Sequence, residues 1–247
     1  LLCALPATLR AQVSFGEATR FDDGWLFRLG DDTTARRPAY DDASWRRLRL
    51  PHDWSVEAQL SPSLASCTGY LPGGVGWYRK HFTVDDTSRR RYVYFEGVYN
   101  RSEVYLNGHL LGCRPNGYVS FLYDMTPYLR AGDNVLSVRV DHSRYADSRW
   151  YTGSGIYRDV WMVEAGDVHL AQWGVGFRVD AIDARRAEAT VEVAVERHAT
   201  TAGRLELEVA LLNAEGRRVA FRRMRVADGG EGIVDLSLPL RIAAPRR

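Results

Sequence analysis

Apolar side chains in this chain recur at every second position, and that periodicity limits what it can fold into. Thr190-Val191-Glu192-Val193-Ala194-Val195-Glu196 and Arg204-Leu205-Glu206-Leu207-Glu208-Val209 alternate cleanly, as does much of Asn134-Val135-Leu136-Ser137-Val138-Arg139-Val140. Successive strand side chains point to opposite faces, so such runs bury one face and leave the other in water. Helical spacing is sustained almost nowhere, and the expected fold is all-β. Arg91–Glu96 reads as a strand, and Ser102–Leu106 leads through Asn107-Gly108 into His109–Gly112. Asn-Gly between two such runs predicts a hairpin, because both central residues of a type I′ turn need positive φ.

At 247 residues the chain has room for two ordinary domains. In the first part, short strands alternate with turns such as Ala131-Gly132-Asp133 and run on to Val160–Glu164, a pattern of sandwiches and jelly rolls. Its expected limits are residues 13–165. After Ala165-Gly166-Asp167 the aromatic content falls and the alternation sharpens, which predicts a second sandwich over 167–247. Asn213-Ala214-Glu215-Gly216 supplies a turn there, and the run to Val226 is expected to pair back on the strand before it. About 80 residues is short of the ~100 usual for an immunoglobulin-like sandwich, so a further strand is expected beyond Arg247.

Apolar residues at 45% and charged residues at 26% fit a globular protein with a real core. The net charge is only +2, and basic clusters such as Arg89-Arg90-Arg91 and Arg222-Arg223 are short and scattered, which argues against a nucleic-acid partner. Cys3, Cys67 and Cys113 are far apart with no Cys-x-x-Cys pair, and His52, His81, His109, His142, His169 and His198 show no zinc-ligand spacing. No metal or cofactor is expected. Leu1–Gln12 reads as the end of a signal peptide cleaved after Gln12, which predicts export, although a ragged terminus fits the same letters. No later stretch approaches the ~18 apolar residues of a spanning helix, so no membrane partner is expected.

Several blocks in series point to a family. Phe21-Asp22-Asp23-Gly24-Trp25, Asp41-Asp42-Ala43-Ser44-Trp45 and Leu50-Pro51-His52-Asp53-Trp54-Ser55 come first, then Gly69-Tyr70-Leu71-Pro72-Gly73-Gly74-Val75-Gly76-Trp77-Tyr78-Arg79-Lys80. Glu96-Gly97-Val98-Tyr99, Pro115-Asn116-Gly117-Tyr118, Val138-Arg139-Val140-Asp141 and Ser148–Arg158 complete the set. Over residues 21–163 the chain resembles the N-terminal sugar-binding domain of glycoside hydrolase family 2, in its bacterial β-galactosidase branch. The resemblance implies a galactose-binding-like jelly roll followed by an immunoglobulin-like β-sandwich. One departure is Asn100-Arg101-Ser102, where the family leads us to expect Asn directly before Ser.

Retaining glycosidases use two carboxylates roughly 5–5.5 Å apart. The resemblance puts both on a β/α barrel, with the acid/base glutamate directly after an asparagine. Here Asn100, Asn107, Asn116, Asn134 and Asn213 precede Arg, Gly, Gly, Val and Ala, and no catalytic residue is assigned. Gly153-Ser154-Gly155 is neither a nucleophile elbow nor a dinucleotide loop, and its glycines are read as permitting a close backbone approach. The candidate substrate-binding residues are Asp147, Ser148, Arg149, Trp150 and Tyr151, which join acceptors, a guanidinium fork and aromatic faces suited to a sugar. The resemblance implies that this loop helps form the pocket for a β-galactoside-like sugar; the competing reading has Trp150 in the core and Arg149 in an interdomain ion pair. The expected function is therefore the non-catalytic N-terminal part of a β-galactosidase-like hydrolase, packing on the barrel. A free-standing carbohydrate-binding module and β-glucuronidase or β-mannosidase specificity are the alternatives. The oligomeric state is not legible.

Overall fold

The computed structural model describes residues 13–144, 150–198, 205–243 and 245. The expected signal segment, residues 1–12, lies outside them. The described chain is all-β, with short 3-10 turns as its only helical pieces. The described residues divide into two compact units, one within Glu17–Glu164 and a second made of those from Ala165 onward together with 13–16.

The first unit is a sandwich of two sheets. One has the order β3 (Arg46–Leu48), β2 (Trp25–Leu29), β4 (Gly74–Val84), β9 (Gly132–His142), β6 (Ser102–Leu106), β7 (His109–Arg114), and is antiparallel throughout. The other has the order β1 (Glu17–Arg20), β10 (Val160–Ala165), β5 (Arg90–Phe95), β8 (Phe121–Asp124). Inward residues of both sheets, among them Trp25, Tyr78, Phe95, Leu136, Val138 and Val160, form one core. The Asn-Gly hairpin joins β6 to β7, with Asn107 at φ 50 and Gly108 at φ 87.

Strand β4, which alternation did not reveal, is buried on both faces over Gly76–Lys80. Tyr78 faces the main core, while Trp77 turns to a second cluster with Ala35, Trp45 and Tyr105. Arg79, also on that outer side, is fully buried. Its Nε donates to Asp42 Oδ2 at 2.6 Å, and its terminal nitrogens reach Ser137 Oγ and the carbonyls of Ala35, Arg37 and Pro38. A buried guanidinium is tolerable only when its donors are satisfied in this way, and it pins the 31–42 segment over the sheet.

In the second unit β11 (Val168–Ile182), β12 (Arg186–Arg197) and β15 (Gly232–Ala243) form one antiparallel sheet, and β13 (Leu205–Leu212) pairs with β14 (Arg218–Val226). Val191, Val193, Val195, Leu238 and Leu240 form its core with Leu205, Leu207, Val209 and Leu211 packed against them. Pro239 is accommodated because β15 is an edge strand, where a missing N–H breaks no second ladder. The expected turn forms at 213–216, where Asn213 Oδ1 accepts from the amides of Glu215 and Arg217. Ser14 joins this unit by donating its N–H to Gln172 Oε1 and accepting from Trp173 N, and Phe15 stacks on His169.

Candidate functional site

Three segments of the first unit supply the candidate site, at residues 53–74, 115–119 and 150–155, with His142 and Arg144 beside them. Asp53 organises it. Its Oδ1 accepts from the backbone N–H of Ser55 at 3.0 Å and of Ser154 at 2.8 Å, and its Oδ2 accepts from the Tyr151 hydroxyl at 2.5 Å. The glycines around Ser154 are required by space: a Cβ on Gly153 would sit 2.9 Å from Asp53 Oδ2, and one on Gly155 would sit 2.2 Å from the Tyr78 hydroxyl. Both also have positive φ, which L side chains rarely adopt. Gly155 makes an antiparallel bridge with Tyr99, and the buried Ser154 hydroxyl lies 2.5 Å from Ser55 Oγ and 2.6 Å from His142 Nδ1. This segment is scaffold, and it carries Trp150 and Tyr151 at its start.

Those two rings stay at the surface, with Trp150 60% and Tyr151 41% exposed. Trp150 donates its indole N–H to the Tyr118 hydroxyl at 2.9 Å, Tyr118 meets Tyr99 edge to face at 5.3 Å, and Tyr99 meets His142 at 5.0 Å. Tyr118 is held by Asn116, whose Oδ1 accepts from the amides of Tyr118 and Val119. A cleft of about 330 Å³ lies beside these loops, lined by Leu64, Thr68, Leu71, Pro72, Gly73, His142 and Arg144 among others. Tyr151 titrates above the ordinary tyrosine range, because burial and its bond to the Asp53 carboxylate both oppose a phenolate. The arrangement offers aromatic faces, hydroxyls and a carboxylate, which suits binding a polyhydroxylated ring.

Of the five residues proposed from sequence, Asp147, Ser148 and Arg149 lie outside the described residues. Trp150 is exposed, so the reading that it fills the core does not hold. Asp53 and Tyr118 were not singled out, although both stand in motif blocks; only the fold brings them to Tyr151 and Trp150. At the departure Asn100-Arg101-Ser102, Asn100 is buried, with 8% exposure. Arg101 there takes φ 39 and donates to Asp141 Oδ1 at 3.0 Å. Among the described residues one His/carboxylate trio, His169, Glu196 and His198, has metal-ligand geometry, and it belongs to the second unit.

A jelly-roll sandwich ending in exposed aromatic rings and a buttressed carboxylate is the construction of a carbohydrate-binding domain. Residues 58–165 match the sugar-binding domain of the glycosyl hydrolases family 2, and the chain matches the N-terminal part of enzymes of that family. Over 90% of its length it is 43% identical to a β-galactosidase of Bacteroides ovatus, of which it spans 27%. It is 27% identical to a β-glucuronidase of Formosa agariphila, over 84% of this chain and 24% of that protein. A crystal structure of a β-glycosidase from Bacteroides vulgatus superposes with a TM-score of 0.80 at 38% identity, covering 93% of this chain and 30% of that one. The chain thus spans only a quarter to a third of these relatives.

Proposed function

We propose that the first sandwich completes the sugar pocket of a retaining glycoside hydrolase whose catalytic carboxylates lie on a separate barrel domain, and that its substrate is a terminal β-galactoside. The observation that carries this is the exposed pair Trp150 and Tyr151, anchored on Tyr118 and Asp53 at one end of the sandwich. Solvent-facing indole and phenol rings held in place by hydrogen bonds are prepared for a sugar face at small entropic cost. The β-galactoside reading leans on the Bacteroides ovatus relative, and a β-glucuronide reading is favoured by the Formosa agariphila one.

A partner polypeptide for the second unit is supported by β11. Val175 and Phe177 lie across from the buried Val193 and Val191, on the core side of the sheet, yet both remain more than half exposed. An apolar strand face of that kind marks a surface meant to be covered. Export rests on the apolar segment Leu1–Gln12 alone.

The test is a chimera in which this chain replaces the matching N-terminal part of the Bacteroides ovatus β-galactosidase. Trp150→Ala should lower kcat/KM for an aryl β-galactoside about ten-fold, the loss of one aromatic sugar contact of ~1–2 kcal/mol. Its melting temperature should hardly move, since an exposed ring contributes little to folding. A fall in melting temperature with unchanged kinetics would assign Trp150 to the scaffold. Higher activity of the unsubstituted chimera on the aryl β-glucuronide than on the galactoside would shift the substrate reading.

A further inference from the structure

The face of the β11–β12 pair turned away from the core brings three metal-binding side chains together. Antiparallel register sets His169 directly opposite Glu196. His198 lies two residues beyond Glu196 and so shares its face, and the His198 amide still pairs with the Asp167 carbonyl at 2.8 Å. Val168, Leu170 and Val195, the intervening residues, pack into the core on the other side. One ligand atom from each of His169, Glu196 and His198 lies within 4.8 Å of the others, and His198 Nε2 is 2.9 Å from Glu196 Oε1. A tetrahedral ion bound at 2.0–2.2 Å holds its ligand atoms about 3.3 Å apart, so small side-chain rotations close the set.

The setting favours a metal further. His169 Nδ1 is 2.9 Å from the Leu170 carbonyl, which can only accept, so Nδ1 carries the hydrogen and Nε2 the lone pair. Ligating imidazoles are commonly oriented in this way. Phe15 stacks on the same ring at 4.3 Å and fixes its plane. Two imidazoles and one carboxylate suit zinc and its transition-series neighbours, whereas calcium and magnesium prefer all-oxygen sets. Spacing along the chain gave no hint of this, because the ligands meet across a strand pair.

We infer that His169, Glu196 and His198 form a site for a divalent transition metal of the zinc type, which ties edge strand β11 to β12 beside its bulge and leaves a coordination position for water. The test is titration of Zn²⁺ into the metal-stripped chain against a chromogenic chelator, with Co²⁺ absorption as the report on geometry. The expected result is one equivalent of Zn²⁺, weakened at least about ten-fold by Glu196→Gln and by His198→Ala and unaltered by His109→Ala in the other unit. Zn²⁺ should raise the melting temperature of the parent chain but not of Glu196→Gln, and excess Mg²⁺ should not compete. Should His198→Ala fail to fold by circular dichroism, the near-isosteric Glu196→Gln decides alone. Binding of less than one equivalent, affinity unchanged in these variants, or displacement by Mg²⁺ would overturn the assignment.

Discussion

His52 shows how a residue conspicuous in the sequence can be explained by packing. It is buried between Phe27 and Tyr78, with Nδ1 2.7 Å from the Tyr78 hydroxyl and Nε2 2.6 Å from Arg46. Arginine can only donate, so Nε2 must accept and the ring is neutral. Burial lowers its pKa below 6.5, with Glu57 opposing and Arg46 reinforcing the shift. A histidine with a depressed folded pKa binds fewer protons than in the unfolded chain, so its contribution to stability is present above pH 6.5 and is lost on acidification below it. The urea midpoint of the chain should therefore fall between pH 7 and pH 5, and His52→Gln should flatten that slope. An unchanged slope in the variant would place the pH dependence elsewhere.

At the scale of elements, the hairpin turn does more than reverse the chain. Asn107 Oδ1 accepts from the buried Val135 N–H at 3.0 Å, and its Nδ2 donates to Asn134 Oδ1 at 2.8 Å and to the Tyr128 carbonyl at 2.9 Å. Asn107→Gly keeps the left-handed backbone but strands these groups, and should cost about 1–3 kcal/mol by urea denaturation, the usual penalty for buried groups without partners. A loss below about 0.5 kcal/mol would show that the turn geometry alone matters.

The same comparison explains what was legible. The Asn-Gly turn, β5, β6, β9 and β12 follow from turn chemistry and from alternation in the letters, although of these strands β12 alone keeps a partly wet face while β5, β6 and β9 are buried on both sides for most of their length. Strand β4 does not: Trp77 and Arg79 on one side and Tyr78 and Lys80 on the other put an aromatic and a charged residue on each face, all of them buried, so its letters carry no period of two. The candidate site was half legible for a similar reason. Trp150 and Tyr151 stand out as aromatic neighbours in one motif, but Asp53 and Tyr118 reach them only through the fold, 98 and 32 residues away in sequence.

For the whole molecule, the proposed function gives both sandwiches a role in binding and packing and leaves bond cleavage to a separate barrel domain. Three carboxylates of the first unit are tied up in structural contacts. Asp42 holds Arg79, Asp53 holds Tyr151 and two amides, and Asp141, held down at about 2 by Ser143 and Arg101 against its burial, braces the β9 end. The most direct measurement is hydrolysis of an aryl β-galactoside and an aryl β-glucuronide by the purified 247-residue chain. We predict no turnover above the uncatalysed rate with either. Turnover that survives rigorous purification and disappears when one acidic residue of this chain is changed to its amide would contradict the assignment of catalysis to another domain.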